Sequence, residues 1–495
     1  MTQTRRTFLQ SAGLCAAGVA AGCNAEGPGA NEAAPKAKPK HNVLFIFTDD
    51  QRWDTIHALG NKEIITPNLD RLAKRSFVFS QGFCFGGNTA AVCIPARNQA
   101  MSGKTFFRFP KRGRRACFAD PKWGNFPKSM KAAGYETYYR EKSGSSNLPE
   151  IRMDFEHRED VHQVNALRTG RPAQGIVDDA IQFITKDRDT DRPFFMYLGV
   201  PAPHDPRWSL KQFRAMYDQT KLTIPPNYRP QHRWNIGDMT VRDECLEVWP
   251  RTKEAIQRHL FDYYSIMTAM DHDLGRLLDT LENKALWENT IVIFSSDQGL
   301  AMGSHGLLGK QSIYDDVMRV PMLYAGPGIK PGTSDAFTYT HDIYPTVCEM
   351  VGASCPGDLD GRSVRGIMEG KAKSVHDYMV MGYTSAQRSI SDGEWKLIIF
   401  PLIGKKELFH VKTDPFETKN LTKSKAPEAV AAKAKLRKAL EAELKRLGDK
   451  SPLVVKSPKS AAFNAPTKKR GTRYPAGGQA PDEIEAEEKA AAKKK

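Results

Sequence analysis

Two apolar runs of strand length, each followed by acidic residues, constrain this chain more than any other part of its sequence. Residues 42–47 lead, after one threonine, into Asp49 and Asp50. Residues 290–294 lead, after two serines, into Asp297. Uninterrupted apolar runs of this length are typical of strands buried on both faces, as in parallel sheets covered by helices.

The segments between these runs favour an α/β fold. Residues 193–200 form a third apolar run, and residues 263–281 have the spacing of an amphipathic helix. Pro67, which follows a threonine, is typical of the first turn of another helix. Helices that alternate with buried strands predict a mostly parallel sheet with helices on both faces.

The pattern changes after about residue 375. Short strands are predicted at 392–400 and 406–410, followed by a helix over 427–447. Beyond residue 450 the sequence is rich in Pro, Lys, Ala and Glu, which is typical of a disordered segment. The predicted organisation is a main domain over 41–375, a C-terminal β-rich subdomain over 376–450 and a disordered tail over 451–495.

The N-terminus has the features of an export signal. Arg5 and Arg6 precede a run of small and apolar residues that ends near Gly22, which is the pattern of a bacterial twin-arginine (Tat) signal peptide over residues 1–22. Cys23 follows Ala-Ala-Gly, which resembles a lipoprotein cleavage site, and residues 23–40 have the composition of a flexible tether. We therefore expect Tat translocase as a partner, and a periplasmic protein or one anchored to the cell envelope through lipidated Cys23.

Composition and net charge limit the classes of substrate and partner that this protein is expected to bind. The 495 residues are 40% hydrophobic and 26% charged, as in globular proteins. Of the net charge of +16, the first 40 residues contribute +3 and the last 45 contribute +5. The remaining +8 favours an anionic substrate, and because the basic residues form no stripe interleaved with aromatics, we expect no nucleic-acid partner.

The acids that follow residues 42–47 and residues 290–294 predict a metal site. Asp49 and Asp50 taken alone are more typical of a helix or turn cap than of a metal site. Asp297 and Gln298 shift this interpretation, because side chains at the carboxyl ends of neighbouring parallel strands converge. Three carboxylates with one amide oxygen form a hard-oxygen site that suits Ca²⁺ or Mg²⁺.

A short motif then makes the sequence recognisable. Cys93-Ile94-Pro95-Ala96-Arg97, followed after four residues by Ser102-Gly103, resembles the signature C-x-P-[SA]-R-x4-[TS]-G of the type I sulfatase family. The cysteine of that signature is oxidised to Cα-formylglycine. An isolated cysteine is usually an inert buried thiol, but the full signature favours a functional Cys93.

The resemblance to type I sulfatases extends over most of residues 41–425. It implies an alkaline-phosphatase-like α/β fold with a small C-terminal β-rich subdomain. The matching segments are 41–51, Gly134–Lys142, Pro193–Pro206, Ser296–Gly299, Gly303–Lys310, Asp342–Thr346 and Glu407–Pro415.

The resemblance also implies the metal ligands and the nucleophile. One Ca²⁺ per chain would be held by Asp49, Asp50, Asp297 and Gln298, together with the formylglycine derived from Cys93. Hydrated to a diol, this formylglycine would attack sulfur with one hydroxyl, and the substrate alcohol would leave. Deprotonation of the second hydroxyl would then re-form the aldehyde and expel sulfate. A formylglycine-generating or sulfatase-maturing enzyme is therefore an expected partner.

The resemblance assigns the remaining catalytic roles of the family to basic residues of this sequence. Arg97 would stabilise the diol and the charge of the metal site. Lys142 and Lys310 would neutralise charge on the sulfuryl and leaving oxygens. His204 would be the general acid for the departing alcohol. Alone, each lysine would be interpreted as surface charge and His204 as an ordinary loop histidine.

Two positions depart from the family pattern. Gln298 stands where Asn or His is usual, and it keeps an amide oxygen on a longer side chain. Gly144 stands where the family has a histidine that works beside the formylglycine. Either His305 or another group replaces that histidine, or the alignment at Lys142 is shifted, because the usual glycine before this lysine is also missing.

The sequence therefore predicts an exported sulfatase that hydrolyses sulfate esters, with a sulfated carbohydrate as substrate. A phosphonate or phosphate ester hydrolase of the same superfamily is the first alternative. A lapsed sulfatase that binds sulfated glycan without cleaving it is the second, and Gly144 is the only residue that supports it.

Overall fold

The computed structural model describes residues 41–110, 118–143, 148, 150–466 and 475–492. The predicted signal peptide and tether, Cys23 and Gly144 lie outside these residues. The strands are β1 Asn42–Asp49, β2 Ser76–Phe83, β3 Gly86–Gly87, β4 Glu136–Lys142, β5 His157–Val161, β6 Phe194–Pro203, β7 Arg207–Ser209, β8 Thr290–Ser296, β9 Met322–Ala325, β10 Gly332–Tyr339, β11 Met379–Tyr383, β12 Gln387–Ser391, β13 Lys396–Phe400, β14 Lys405–Phe409 and β15 Gly477–Gln479.

The helices are given in chain order with the same numbering. They are α1 Pro67–Lys74, α2 Cys93–Ser102, α3 Phe126–Ala132, α4 Gln163–Arg168, α5 Gln174–Gln182, α6 Lys211–Arg214, α7 Lys253–Asn283, α8 Asp315–Met318, α9 Ile343–Val351, α10 Arg365–Met368, α11 Pro427–Arg446 and α12 Pro481–Ala492. Among the described residues, no helix combines the length and apolar character needed to cross a bilayer.

The three predicted apolar runs form the centre of the main sheet. This sheet has eight strands in the order β10-β2-β9-β8-β1-β6-β4-β5. Only β9 runs antiparallel to its neighbours, and β1 pairs in parallel with both β8 and β6. Thr48 lies opposite Ser296 in the β1–β8 ladder, so the acids after these strands meet at one edge, as the sequence predicts.

Both faces of the central strand are buried, which explains its uninterrupted apolar sequence. Val43, Phe45 and Phe47 belong to one hydrophobic cluster, whereas Leu44 and Ile46 belong to a second cluster that also includes α7 residues. Helix α7 begins ten residues before the predicted start at residue 263 and has 31 residues in all. The Thr252 side chain caps it by accepting a hydrogen bond from the Ala255 N–H.

The second sheet has five strands in the order β14-β13-β12-β11-β3. Its residues share the first hydrophobic cluster with the main sheet, and α11 contributes Leu436, Leu440 and Leu444 to the same cluster. The segment after residue 375 is therefore β-rich, as predicted, but it has no separate core. Strand β12 was missed in the sequence because its buried residues are mainly polar.

The C-terminal tail differs from the prediction. Within the stretch expected to be disordered, residues 477–479 form β15, which pairs in parallel with β7, and residues 481–492 form α12. Backbone pairing and ion pairs order this polar segment. Neither interaction can be recognised from the distribution of hydrophobic residues, on which the prediction of disorder was based.

Candidate active site

Cys93 lies at the base of a cavity beside the carboxyl ends of β1 and β8. It is the first residue of α2, it is buried, and burial raises the pKa of its thiol to about 12. An unmodified thiol with this pKa is almost entirely protonated at neutral pH and is a poor nucleophile. The cavity has a volume of about 350 Å³, and its polar lining residues are Gln163, His204, Arg242, Asp243, Lys310 and Gln311.

A larger cavity of about 810 Å³ lies elsewhere, between α8, β10 and β11. It shares no lining residue with the cavity at Cys93, and none of the residues predicted to be functional lines it. Size therefore does not identify the active site of this protein, whereas the charged groups around Cys93 do.

Two carboxylates, those of Asp49 and Asp297, lie beside Cys93, and a third, that of Asp50, adjoins Asp297. Asp49, Asp50 and Asp297 are each at most 1% exposed. Ligand atoms of Asp49, Cys93 and Asp297 lie within 4.8 Å of one another. Asp50 has a φ of 69°, and its N–H donates to Asp297 Oδ1 at 3.0 Å, which fixes the turn after β1. Burial and the neighbouring carboxylates raise the pKa of Asp297 to about 7, and burial raises that of Asp50 to about 6.

Arg97, which is fully buried on α2, connects these acids to β4. Its Nε donates to Asp297 at 3.1 Å, and its Nη2 donates to Asp49 at 3.2 Å. Its Nη1 donates to Glu141 at 2.7 Å and to Tyr197 at 2.9 Å. The planar guanidinium group of Arg97 donates to four side chains through three nitrogens. The single ammonium group of a lysine could not make all of these contacts.

The close approach of β4 and α2 depends on a glycine in β6. A Cβ added to Gly199 would lie 2.5 Å from the Glu141 side chain and 2.8 Å from Arg97 Nη1. Any other residue there would force the Glu141 or the Arg97 side chain to move. Neither Glu141 nor Tyr197 was predicted. Both lie in segments that resemble the family, but the resemblance assigned no role to either residue.

Two lysines complete the ring of charges. Lys142, the last residue of β4, forms a fully buried ion pair with Asp49. Lys310 Nζ donates to Asp50 Oδ1 at 2.8 Å, and nearby acids and the Cys93 sulfur hold the pKa of Lys310 well above its usual value. The structure thus brings both predicted lysines to the site, and Lys142 reaches it although the usual glycine before it is missing.

The charge balance of this cluster leaves room for a cation. Asp49, Asp50, Asp297 and Glu141 supply four carboxylates, which face three cations in the contacts above, Arg97, Lys142 and Lys310. With all of these groups ionised the cluster carries one net negative charge. A divalent cation would reverse this sign and make the cluster attractive to an anion.

The polar atoms of the cluster also fit a cation. Asp49 Oδ1 and Gln298 Oε1 are buried and accept no hydrogen bond from the described residues. Gln298 Nε2 donates to Asp50 Oδ1 at 2.7 Å, which holds the amide against the carboxylates. Unpartnered buried oxygens are rare, and a set of carboxylate and amide oxygens suits Ca²⁺ or Mg²⁺. The residues present therefore fit the predicted metal, with Asp49, Asp50, Asp297 and Gln298 as oxygen ligands.

This cluster predicts how stability depends on pH and cation. A carboxylate whose pKa is higher in the folded state than in the unfolded state stabilises the fold only while it is protonated. Because the pKa of Asp297 rises to about 7 and that of Asp50 to about 6, stability of the metal-free protein should fall as pH rises from 4 to 7. We expect the melting temperature in chelator to be about 2–5 °C lower at pH 8 than at pH 5.5. Ca²⁺ should restore it at pH 8, and a melting temperature indifferent to cation would contradict the assignment of the site.

His204 lies on the opposite side of the cavity. Its Nδ1 lies 2.6 Å from the carbonyl oxygen of Asp205, so the ring proton is assigned to Nδ1. Nε2 then accepts from Arg242 Nη2 at 3.3 Å and lies 3.9 Å from Asp50 Oδ2. Burial and the nearby cations, Lys142 foremost, hold the pKa of His204 well below its usual value. The ring of the free site is therefore neutral.

Arg242 and Asp243 form the rim of the cavity, and the sequence did not indicate either of them. Arg242 Nη2 donates to Asp205 Oδ1 at 2.9 Å and to Asp243 Oδ1 at 2.8 Å. Asp243 Oδ2 accepts from Gln311 Nε2 at 2.9 Å. These residues lie on a loop without regular secondary structure, so neither periodicity nor a motif could have identified them.

His305 does not replace the family histidine. Its ring stacks on Tyr314 with centroids 3.8 Å apart, and its Nε2 lies 3.1 Å from Asn227 Nδ2. Its nearest acids are Asp316 and Glu417, which belong to a separate buried cluster. The suggestion that His305 works beside Cys93 is therefore wrong, because its contacts point away from the carboxylates. Gly144, the position that raised the question, lies outside the described residues.

Comparison with known proteins agrees with this geometry. A family model described as Sulfatase matches residues 41–353, and a model described as N-sulphoglucosamine sulphohydrolase, C-terminal, matches residues 303–446. The N-acetylglucosamine-6-O-sulfatase of Bacteroides thetaiotaomicron is 25% identical over 83% of this chain and 87% of its own length. The choline-sulfatase of Rhizobium meliloti is 24% identical over 78% of this chain and 83% of its own length.

Solved structures share the fold. The phosphonate monoester hydrolase of Agrobacterium radiobacter superposes with a TM-score of 0.67 at 20% identity, covering 82% of this chain and 96% of that one. A protein solved in complex with its substrate D-glucosamine-2-N,6-O-disulfate superposes with a TM-score of 0.66 at 22% identity, covering 84% and 99%. With a family model that spans more than half of its residues and the signature cysteine seated among the carboxylates, the chain belongs to the sulfatase family of sulfuric ester hydrolases, within the alkaline-phosphatase-like superfamily.

Proposed function

We propose that the protein hydrolyses sulfate esters of carbohydrates at the cavity above Cys93, with Cys93 converted to formylglycine and one Ca²⁺ bound. The observation that carries this proposal is the position of Cys93. It lies at the N-terminus of α2, beside the buried carboxylates of Asp49 and Asp297 and close to the buried cations Lys142 and Lys310.

The charge of the cluster favours a singly charged ester. Four carboxylates and three cations leave one negative charge, and a divalent cation changes the balance to one positive charge. A sulfate monoester carries one negative charge and would neutralise the site. A phosphate monoester dianion would leave an excess negative charge in a buried cluster, which is costly.

Each residue of the cluster has a distinct task in this reaction. Formylglycine at position 93 would supply a hydrated aldehyde as nucleophile. Asp49, Asp50, Asp297 and Gln298 would hold Ca²⁺, which would supply Lewis-acid chemistry at the ester. Arg97 holds Asp49 and Asp297 in place through separate nitrogens. Lys142 and Lys310, held against the carboxylates, supply positive charge where negative charge develops on the ester oxygens.

His204 would deliver a proton to the departing alcohol. The negative charge of a bound ester, placed beside Nε2, opposes the cations that lower the pKa of the ring in the free site. The proton on Nδ1 stays with the carbonyl of Asp205, so Nε2 is the atom available to the leaving oxygen. Lys310 is a weaker acid than His204, because its pKa is held well above the usual value.

A carbohydrate is the proposed substrate class because the cavity is small and polar. About 350 Å³ accommodates a sugar unit, and among the lining residues the apolar ones are small or aliphatic. Among the residues that the structure describes, no Phe, Tyr or Trp lines this cavity, so an aryl group would find no large aromatic side chain to stack on there. Two relatives also act on carbohydrates by their names, an N-acetylglucosamine-6-O-sulfatase and an ulvan-active sulfatase of Formosa agariphila.

Export and maturation complete the proposal. The twin-arginine motif at Arg5 and Arg6 supports transport of the folded protein by Tat translocase to the periplasm, and Cys23 supports a lipid anchor. Since Cys93 is buried in the folded protein, the maturing enzyme would act on the chain before it folds.

A phosphonate monoester hydrolase is the second candidate. The structural likeness to such an enzyme supports it, and a phosphonate monoester also carries one negative charge. Turnover of matched sulfate and phosphonate monoesters of the same alcohol separates the two candidates. A preference for the phosphonate would overturn the proposed substrate.

The His204→Ala variant tests the proposed acid. A sugar alkoxide leaves poorly without a proton, whereas a nitrophenolate leaves almost unaided. We expect kcat to fall by about 10²–10⁴-fold on a carbohydrate sulfate and by less than about tenfold on nitrophenyl sulfate. Steady-state kinetics on the two substrates measures both losses.

Lys310→Ala is the matched control for this experiment. Lys310 acts on charge that develops with either leaving group, so its removal should reduce both rates to a similar degree. Equal losses on both substrates for His204→Ala would show that His204 orients the ester and is not the acid.

A further inference from the structure

The C-terminal segment 475–492, referred to below as the C-terminal brace, pairs with the chain directly after His204. Strand β15 of the brace runs parallel to β7, with Gly477 opposite Arg207 and Gln479 opposite Ser209. The Arg207 N–H donates to the carbonyl of Ala476 at 2.8 Å. Among the described residues β7 has no other strand partner, so the brace supplies the ladder that follows the His204 loop.

The same segment holds the helix on the other side of His204. The first residue of α4 is Gln163, and its side-chain amide lies 2.9 Å from His204 Nδ1. At the end of α4, Arg168 donates to Asp482 at 3.1 Å and to Glu485 at 2.8 Å. The brace therefore contacts α4, whose Gln163 side chain reaches the imidazole, and β7, which begins shortly after His204 in the chain.

The brace is closely packed against the protein. Ala480 is fully buried, and its N–H donates to the carbonyl of Ser209 at 3.0 Å. A Cβ added to Gly477 would lie 2.6 Å from the Asp262 carboxyl carbon on α7, so only glycine allows this approach. Packing of this kind identifies a docked element.

The brace also lies outside the part of the chain that the family models match. The two models match residues 41–353 and 303–446, so residues 475–492 follow both of them. Its contacts with β7 and α4 are therefore a feature of this chain that the family assignment does not explain.

We propose that the C-terminal brace is a positioning element that holds His204 in the orientation needed to protonate the leaving alcohol. This inference rests on the proposed function of His204. A misplacement of about 1 Å in a catalytic group can cost about 10²-fold in rate. Loss of the brace should therefore affect substrates in proportion to their need for an acid.

Truncation after residue 474 tests the proposal. We expect kcat on a carbohydrate sulfate to fall by about tenfold or more, and kcat on nitrophenyl sulfate to fall by less than about threefold. A chain that ends at Ala492 keeps the brace and is the matched control. Equal losses on both substrates would mean that the brace only stabilises the fold, and would overturn the proposal.

Charge reversal provides a second test that does not depend on folding of the truncated chain. Arg168 is partly exposed, so Arg168→Glu should change stability little. It should lower the rate on the carbohydrate sulfate by about threefold or more, and the reciprocal changes Asp482→Arg and Glu485→Arg should restore it. Arg437→Glu, which breaks an exposed pair with Glu441 on α11, is the matched control and should leave both rates unchanged.

Hydrogen exchange separates failure of this inference from failure of the proposed function. Removal of the brace should increase hydrogen exchange of the backbone amides of residues 207–209, and amides of β13 should not change. Unchanged exchange at residues 207–209 would overturn the proposed role of the brace, whatever the kinetic results. Increased exchange together with a His204→Ala variant that shows no leaving-group dependence would instead overturn the acid role of His204, and with it the catalytic part of this inference.

Discussion

Cys93→Ala is expected to abolish sulfate-ester hydrolysis, with kcat lowered by about 10⁴-fold or more. The substitution keeps Cβ but removes the thiol, and without the thiol Cβ cannot be oxidised to the proposed aldehyde. The carboxylates and cations around position 93 stay in place. The fold should survive, because Cys93 packs with Ile94 in a small cluster apart from the two main ones. Steady-state kinetics and thermal unfolding of the same preparation measure the two effects.

Cys348→Ala is the matched control for this variant. Cys348 is also a buried thiol, but it lies on α9 in the main hydrophobic cluster, away from the carboxylates. Its replacement should cost about 1 kcal/mol or somewhat more of stability and leave kcat unchanged. Substantial activity in Cys93→Ala would contradict the nucleophile assignment.

Asp297→Asn is expected to lower kcat by about 10³-fold and to remove the response of stability to Ca²⁺. Asp297 Oδ2 accepts from Arg97, and its Oδ1 accepts from the Asp50 and Gln298 N–H groups, so asparagine keeps the shape but loses the charge. In chelator the variant should be as stable as the wild type or more so, because it removes one of three mutually repelling carboxylates. Calorimetric unfolding with and without Ca²⁺ measures this difference.

Asp271→Asn is the corresponding control. Asp271 is also buried with a pKa raised to about 6, but it accepts hydrogen bonds from the N–H groups of Asn68 and Leu69 at the start of α1. Its substitution should reduce stability and leave both kcat and the Ca²⁺ response unchanged. If Asp297→Asn keeps full activity in chelator, the metal site is assigned to the wrong residues.

The centre of the fold and most of the site could be predicted from the sequence, because they depend on local patterns. Strands β1, β6 and β8 are buried on both faces, and for this reason each of them has an uninterrupted apolar sequence. Asp49, Asp50 and Asp297 follow such runs directly, so parallel pairing brings them together. Cys93 and Arg97 lie four residues apart at the start of one helix, which keeps their spacing fixed in the signature.

The rest of the site depends on contacts between distant parts of the chain. Glu141 and Tyr197 lie on neighbouring strands and meet through Arg97, although about 100 residues separate Tyr197 from Arg97. Arg242 and Asp243 reach the cavity from an irregular loop. In the sequence, a charged or polar residue of this kind has the same pattern as a residue on the protein surface. Only the fold places it beside the active site, so the sequence alone could not separate it from surface residues.

The C-terminal tail shows a different reason for failure. Hydrophobic content predicts disorder there, because few aliphatic residues follow residue 450. In the structure, order comes from main-chain pairing of β15 with β7 and from the ion pairs of Arg168. The predicted start of α7 near Tyr263 was also wrong. The helix begins at Lys253, after the capping residue Thr252, in a polar turn that hydrophobic spacing does not reveal.

Mass spectrometry of the peptide that contains Cys93–Arg97, taken from protein purified in the active state, tests the central claim most directly. We expect an aldehyde or its hydrate in place of the thiol at position 93, in proportion to the specific activity of the preparation. A fully active preparation in which residue 93 is entirely the unmodified thiol would contradict it.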